Sequence, residues 1–482
     1  MEEHIVSIEE LYSKKVVKSG EGSSSHDRPS ISREERFRSL TEVAAGVQTG
    51  VVKEAKIQKV IFLLRDHKHF VKYFEPRVVA LGPIHHDNKK YQLGEKYKLI
   101  LANKFVECSG KSIEVLYEAV VNEIKQLREC FEEEVTKKYD DEALAWMLFV
   151  DGSAIVQYIF SAVNNKFKEL NIKIDSITFA QQDLFLLENQ VPYRLLNLLM
   201  NLSGKNDELR ISIGSFIGSF RSEPAHLLDL LRTTLLGAQK EEENNLTNKA
   251  SSSPGSSNSE PPSRKTCGIW PHRKKGGEDP DWQSYRNVQE LKSAGIQLKQ
   301  SKNSNLRNIS FTRKFGFYPG YLWLPPIKVD DSTGPKFMNL IAYEMCLDFD
   351  NDFGITSYIS FLDSLIDEVN DVKDMRKAHV LYNLLGSDQE VADLFNEIGT
   401  DLVPNIEAYE DVKLKIQSYY DNNWMTWMAQ FFHDHFSSPW TILAFLGVLL
   451  GLVLTAAQTL YAVMASQPGP CEKFCKLKLK ET

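Results

Sequence analysis

The residues of this chain that could do chemistry come in small groups. His85 and His86 stand side by side with Asp87 directly after them, and His433 and His435 flank Asp434. Imidazoles beside a carboxylate can move protons or begin a metal site, but a metal needs further ligands to complete its shell. None stands at suitable spacing, so both groups read as surface or hydrogen-bonding histidines, with no metal ligand assigned. Gly110, Lys111 and Ser112 match the end of a phosphate-binding loop, yet the first glycine of G-x-x-x-x-G-K-[ST] falls on Phe105. A side chain there blocks the backbone cradle, which excludes nucleotide binding by this loop. No G-x-S-x-G elbow exposes a serine, and no H-E-x-x-H places two histidines on one helical face. Glu188, Asn189 and Gln190 interrupt an apolar run, and a buried polar joint that caps helix ends is preferred there over a catalytic carboxylate. No catalytic or cofactor-binding residue is assigned.

The elements that would position such residues are mostly helical. Ile113, Leu116, Val120, Ile124, Leu127 and Phe131 recur three and four apart and so share one helical face. Ala143–Phe160 is apolar nearly all round, but Asp151 and Gly152 at its middle favour a buried core helix over a membrane span. Asp183–Met200 reads as two helices broken at Asn189 and Gln190, with Pro192 in the first turn of the second. Ser222 is the expected N-cap of a helix carrying Pro224 in its first turn. Arg77–Ile84 and the stretch LWLPPIKV read as extended. Tyr358, Phe361, Leu362, Leu365 and Ile366 form another helical stripe. Gly386 is the expected left-handed stop of one helix, with Ser387 and Glu390 boxing the start of the next.

Trp440–Met464 runs without a charged residue, and about 20 apolar residues suffice to cross a bilayer. It is read as a single membrane span. Trp424, Trp427, Phe431 and Trp440 would form its interfacial aromatic collar. Residues 1–55 are a polar tail, 56–237 the first half of a helical body and 238–285 a low-complexity linker or insertion. Residues 286–436 are the second half of the body, ending in an amphipathic aromatic helix, 439–464 the span and 465–482 a short basic tail. The expected fold class is therefore mainly α: a multi-helix body with a few short extended segments and one C-terminal transmembrane helix.

Composition narrows the function classes. With 482 residues, 42% of them hydrophobic, the chain can bury a sizeable core. A net charge of −8 argues against a nucleic-acid partner, which wants a basic face. Six scattered cysteines, Cys108, Cys130, Cys267, Cys346, Cys471 and Cys475, form neither a disulfide framework nor a zinc knuckle. Palmitoylation of Cys471 or Cys475 is open to a chain anchored just before them. Two sidedness signals oppose each other. Lys473, Lys476, Lys478 and Lys480 would hold the tail in the cytosol and the body outside, whereas a late span without a signal peptide favours a cytosolic body. N-x-S/T triplets at Asn201, Asn245 and Asn308 would be glycosylated only outside.

Several separated blocks, taken in order, resemble one plant family, domain of unknown function 247 (DUF247). They are FEPRVVALGPIHH, DLFLLENQVPY, HLLDLLR, LKSAGIQLK, LPPIKVDDSTGPKFMNLIAYE, YISFLDSLI, NLLGSDQEVADLFN and WMTWMAQFF leading to SSPW. The resemblance runs from about Ile61 to the end of the span. It implies a plant protein, mostly helical, with a C-terminal anchor and no established enzymatic activity; some members are associated with reproductive self-recognition in grasses. The chain departs from the family pattern at LLRDHKHF, where a basic-Val-Pro motif is usual. It departs again at Gly94-Glu95 and Tyr97-Lys98, where Met-Glu and His-Lys are usual.

The reading is thus a single-pass membrane protein, expected at the plasma membrane, that is not an enzyme and works by protein interaction or recognition. Its expected partners are the lipid bilayer and another protein, with no nucleic acid and with homo-oligomerisation open. The alternatives are an enzyme whose unfamiliar site uses His85 and His86 with Asp87, or Glu188, and a self-associating membrane scaffold.

Overall fold

The computed structural model describes residues 38, 55–170, 172–218, 224–237, 287–313, 319–349, 352–405, 407–420 and 439–465. Nearly all of the expected tails and linker, together with Trp424, Trp427, Phe431, Ser222, His433 and His435, lie outside these residues.

Short helices α1 (Phe62–Arg65) and α2 (Phe70–Phe74) open the body. Arg77–Ile84, which follows, joins no sheet. α3 (Gln92–Ser109) stops at Gly110, whose φ of 72° is the left-handed conformation that glycine tolerates best. Ser112 then caps α4 (Ile113–Glu129), its hydroxyl accepting the Val115 N–H. The Gly-Lys-Ser triplet is therefore a helix stop and start. Leu116, Val120, Ile124 and Leu127 are buried as their spacing requires, whereas Ile113 faces solvent. Next come α5 (Glu133–Thr136), α6 (Asp141–Val163), α7 (Ile174–Asp183), α8 (Tyr193–Leu202), α9 (Asn206–Ile217) and α10 (Leu227–Leu236). Three boundaries differ from expectation. Pro192 is the N-cap of α8 and does not lie in its first turn. The helical run expected at DLFLLE ends at Asp183, and α10 begins only after His226, whose Nδ1 accepts the Asp229 N–H at 3.2 Å. Pro224 therefore precedes the helix instead of lying in its first turn.

Beyond residue 287, α11 (Val288–Ser293) leads into strands β1 (Ile296–Gln300), β2 (Ser310–Arg313), β3 (Gly320–Leu324) and β4 (Ile327–Val329). Pro325 and Pro326 fall between β3 and β4, where no ladder amide is needed. The chain continues as α12 (Thr333–Glu344), α13 (Gly354–Asp363), α14 (Val369–Lys377), β5 (Leu381–Asn383), α15 (Asp388–Ile398), α16 (Glu410–Tyr420) and α17 (Pro439–Ala465). Gly386 is not the left-handed stop of a helix. A strand precedes it, and it is absent from the positive-φ residues. Ser387 does cap α15, accepting the Glu390 N–H at 3.2 Å.

Two compact units emerge from these elements: Met1–Pro280 with Leu298–Ser310 and Trp323–Glu410, and Asp281–Gln297 with Phe311–Leu322 and Asp411–Thr482. In the first, α3, α4, α8 and α9 pack around α6, which is why α6 can be apolar nearly all round. α12 packs on α2, α13 and α15, while β4 pairs in parallel with β5 through Ile327–Leu381 and Val329–Asn383. β1, β3 and β2 lie side by side in that order, and within the second unit Phe311 meets Tyr419 edge to face at 5.7 Å. α17 is long and apolar enough to cross a membrane, and its side chains from 441 to 465 are all exposed. α6 also has the length and composition of a span, but it is the buried core helix of the first unit. Among the described residues the fold is thus mainly α, with short strands and one exposed apolar C-terminal helix.

Candidate functional site

The polar residues of the DLFLLENQ block converge on the extended segment Arg77–Gly82. Asp183 accepts three consecutive amide hydrogens, from Arg77 and Val78 at 2.8 Å and from Val79 at 2.9 Å. Burial raises its pKa above the usual carboxylate value despite these three donors. Asn189 accepts the Leu81 N–H at 2.7 Å and donates its amide to Val79 O and to Asp183 O. Gln190 donates to Leu184 O and Leu186 O while its own oxygen accepts the Leu228 N–H. Side-chain amides thus supply the donors that a continuing helix would have supplied, which is why regular helix ends at Asp183. The interrupted run is a joint that satisfies the backbone of a neighbouring segment.

Glu188 forms a second node of the joint. Its Oε1 accepts the Val60 N–H at 2.8 Å and lies 2.7 Å from Arg65 Nη2, and its Oε2 lies 3.2 Å from His85 Nε2. Burial pushes the Glu188 pKa up, but His85, the Val60 amide and the Arg65 guanidinium outweigh it and hold the carboxyl below its usual value. His86 faces another set of groups: its Nε2 is 3.5 Å from Asp87 Oδ1 and its ring meets Tyr139 edge to face. The adjacent histidines therefore serve separate partners, and Asp87, directly after them, turns the chain with a φ of 68°. Two residues of the enzyme alternative, Glu188 and His85, thus come together, while Glu188 Oε1 is taken by Val60 and Arg65.

Three further clusters were not legible in the sequence. Lys98, on the buried face of α3 with Leu101 and Phe105, lies 2.6 Å from Asp151 of α6 and 2.7 Å from Glu95, and donates to Ala80 O at 2.8 Å. The available signal was a lysine in register with an apolar stripe and an aspartate inside an apolar helix. Glu344 of α12 accepts Arg232 Nε at 2.8 Å and the amides of Ile355 and Thr356 at 2.9 Å, which fastens α10 and the start of α13 to α12. Burial raises the Glu344 pKa although Arg232 and those amides oppose it. Tyr73, itself wholly buried, donates to Glu397 Oε2 at 2.7 Å, and His69 Nε2 stands 3.3 Å from Oε1.

Of the candidate modification sites, Asn201 is exposed near the end of α8, Asn308 donates its amide to Ser301, and Asn245 lies outside the described residues. Among the described residues Cys108, Cys130 and Cys346 form no disulfide. What Asp183, Asn189 and Gln190 do chemically is hold extended backbone against helices, since their polar atoms are filled by main-chain groups.

Comparison with known proteins agrees with the order of blocks in the sequence. The profile of DUF247, plant proteins of unknown function, matches residues 57–454. UPF0481 protein At3g47200 of Arabidopsis thaliana is 29% identical over 425 residues, which is 82% of this chain and 83% of that protein. A second Arabidopsis thaliana UPF0481 protein is 28% identical over 181 residues, 37% of this chain and 33% of its own. No solved structure matches.

Proposed function

Because this chain belongs to the DUF247 family of plant proteins, we propose that it is a single-pass membrane protein whose helical body binds another protein and carries out no catalysis. The observation that carries the anchor is α17, 27 residues without a charge whose described side chains from 441 to 465 are all exposed. Apolar surface left in water costs about 25 cal/mol per Å². A bilayer removes that cost and asks only that the helix satisfy its own backbone hydrogen bonds. α6 has similar length and composition but is buried, so the anchor reading attaches to α17 alone. Binding in place of catalysis is supported by the fate of Asp183, Glu188, Asn189 and Gln190, whose polar atoms serve the fold itself. The plasma membrane is the proposed location, and the lysines after the span favour a body on the outer side.

Membrane fractions from plant cells expressing the full chain test the anchor. The full chain should resist alkaline carbonate and dissolve only in detergent, and a variant lacking residues 439–465 should be released. Release of the full chain by carbonate would end this reading. Protease added to sealed vesicles then assigns the side of the body. Proximity labelling, with a body-deleted chain as control, tests the binding role, and the absence of any reproducible partner that depends on the body would sink it.

A further inference from the structure

Behind the extended segment lies a cavity of about 40 Å³ whose wall exposes almost only hydrocarbon. Val79, Leu101 of α3, Ile155 and Tyr158 of α6, and Ile177 and Ala180 of α7 line it. A water-sized sphere needs about 10–15 Å³ of such space, so the cavity has room for roughly three. Its one charged side chain, Lys98, is already taken by Asp151, Glu95 and Ala80 O, and the Tyr158 hydroxyl donates to Ile177 O at 2.6 Å. Water would find too few partners here, and a charged ligand would find no free counter-charge.

The cover of the cavity is loosely held. Of the ten residues of α7 only Asp183, at its end, is buried, and Ile174 at the other end is 80% exposed. The Tyr158–Ile177 hydrogen bond and the Arg77 guanidinium 5.4 Å from the Phe179 ring are what fasten it between. Few buried contacts along a helix mark it as an element that opens locally before the rest of the fold. We propose that this cavity is a binding site for an uncharged apolar group, the end of an aliphatic chain, admitted when α7 swings about Asp183. The apolar group could come from a bilayer lipid or from a free hydrophobic molecule, and the chemistry of the wall is the same for both.

Photocrosslinking tests it on the full chain in phosphatidylcholine nanodiscs. One arm uses a free diazirine-bearing alkane, the other phosphatidylcholine carrying the diazirine on an acyl chain. The expected result is saturable crosslinking to peptides that contain Val79, Ile155 or Ile177. It should be lost in Ala154→Phe, which fills the cavity from α6, and in Ala180→Phe, which fills it from the cover, with crosslinking to residues 439–465 unchanged. Ala180 is only half-buried, so the second variant keeps the test sound if the first does not fold. Whichever arm labels the cavity peptides identifies the source. Labelling confined to residues 439–465 in both arms, or labelling of the cavity peptides that neither saturates nor responds to Ala180→Phe, overturns the proposal.

Discussion

Lys98 Nζ lies 2.6 Å from Asp151 Oδ1, with side chains 2% and 1% exposed. The pair closes a three-way contact, because Lys98 also donates to Ala80 O and Asp151 Oδ2 accepts the Gly82 N–H, each at 2.8 Å. Burial alone would lower the Lys98 pKa, but Asp151 and Glu95 overcome it and hold the amine above its usual value, so the lysine stays charged. Removing one partner strands the other charge, which typically costs about 3–5 kcal/mol, whereas replacing both by apolar groups is often tolerated. Lys98→Met should therefore destabilise by about that amount, and Lys98→Met with Asp151→Leu by clearly less. Denaturant unfolding of the full chain in detergent measures both. Equal losses in the single and double variants would remove the pair from its place in the fold.

Asn189 should be equally intolerant, for a different reason. Asn189→Ala leaves the Leu81 N–H and the Val79 carbonyl without the Asn189 partner in a buried site, while Asp183 O keeps only the long bond from the Leu186 N–H at 3.5 Å. Each stranded group costs about 1–3 kcal/mol, so the variant should lose about 2 kcal/mol or more and expose the Arg77–Gly82 segment to protease. Asn189→Asp keeps the acceptor for Leu81 but sets an acceptor-only carboxylate oxygen against both carbonyls, and should be at least as destabilised as Asn189→Ala. A cleavage pattern unchanged in Asn189→Ala would refute the joint.

Gly82 carries the tightest turn of the same segment. Its φ is 66°, and a Cβ there would stand 2.5 Å from Gln190 O. Left-handed strain costs about 1–2 kcal/mol for a residue with a Cβ, and the clash with a backbone oxygen adds to it. Gly82→Ala should lower the melting temperature of the full chain by several degrees, at roughly 2–4 °C per kcal/mol for a body of this size. Melting unchanged by the alanine would mean that the segment can leave Gln190 without cost.

The difference between what was legible and what was not follows from sequence separation. Leu116, Val120, Ile124 and Leu127 announce their burial because a helix repeats every 3.6 residues, so a buried face is written into local spacing. Ser387 announces its cap in the same way, within three residues. Asp183 serves amides about a hundred positions away, and Lys98 meets Asp151 across two helices. Neither pairing has a local pattern, because the partner of a buried polar group is decided by tertiary packing. An interrupted apolar run looks alike whether its polar atoms face a substrate or a neighbouring backbone, so the service of Asp183, Asn189 and Gln190 to main-chain groups was not written in it. Gly386 failed for a related reason, since β5 pairs with β4 over fifty residues earlier and so displaced the expected helix.

His226 makes stability depend on pH. It is wholly buried, its Nδ1 accepts the Asp229 N–H, and its ring meets Tyr343 edge to face at 4.8 Å. Burial pulls its pKa from the ordinary 6.5 down to about 4, against the opposite pull of Asp229. Between those values the unfolded chain binds the proton and the folded chain does not, so acid favours unfolding. The stability present above pH 6.5 should decline as pH falls to 4, by about 3 kcal/mol at roughly 1.4 kcal/mol per pH unit. His226→Asn can still cap α10, and although it leaves a void it should flatten the profile across that window. A slope in the variant equal to that of the parent would assign the acid sensitivity to other groups.

The solvent of α17 can be read from a single charge. Leu452 is 66% exposed, so if water surrounds the helix, Leu452→Arg changes neither folding nor partition. If lipid surrounds it, an arginine near the helix centre costs about 2.5–3.5 kcal/mol of insertion. Carbonate-resistant material should then drop severalfold while the body keeps its protease resistance. Leu148→Arg in the buried α6 provides the contrast, because a charge in a packed core unfolds the body whatever holds the chain to the membrane. Loss of membrane retention in Leu452→Arg with an intact body, and loss of the body in Leu148→Arg, is the pattern that separates an anchor from a core helix of similar length and composition. Retention indifferent to arginine at 452 would place α17 in water and leave the proposed function without its anchor.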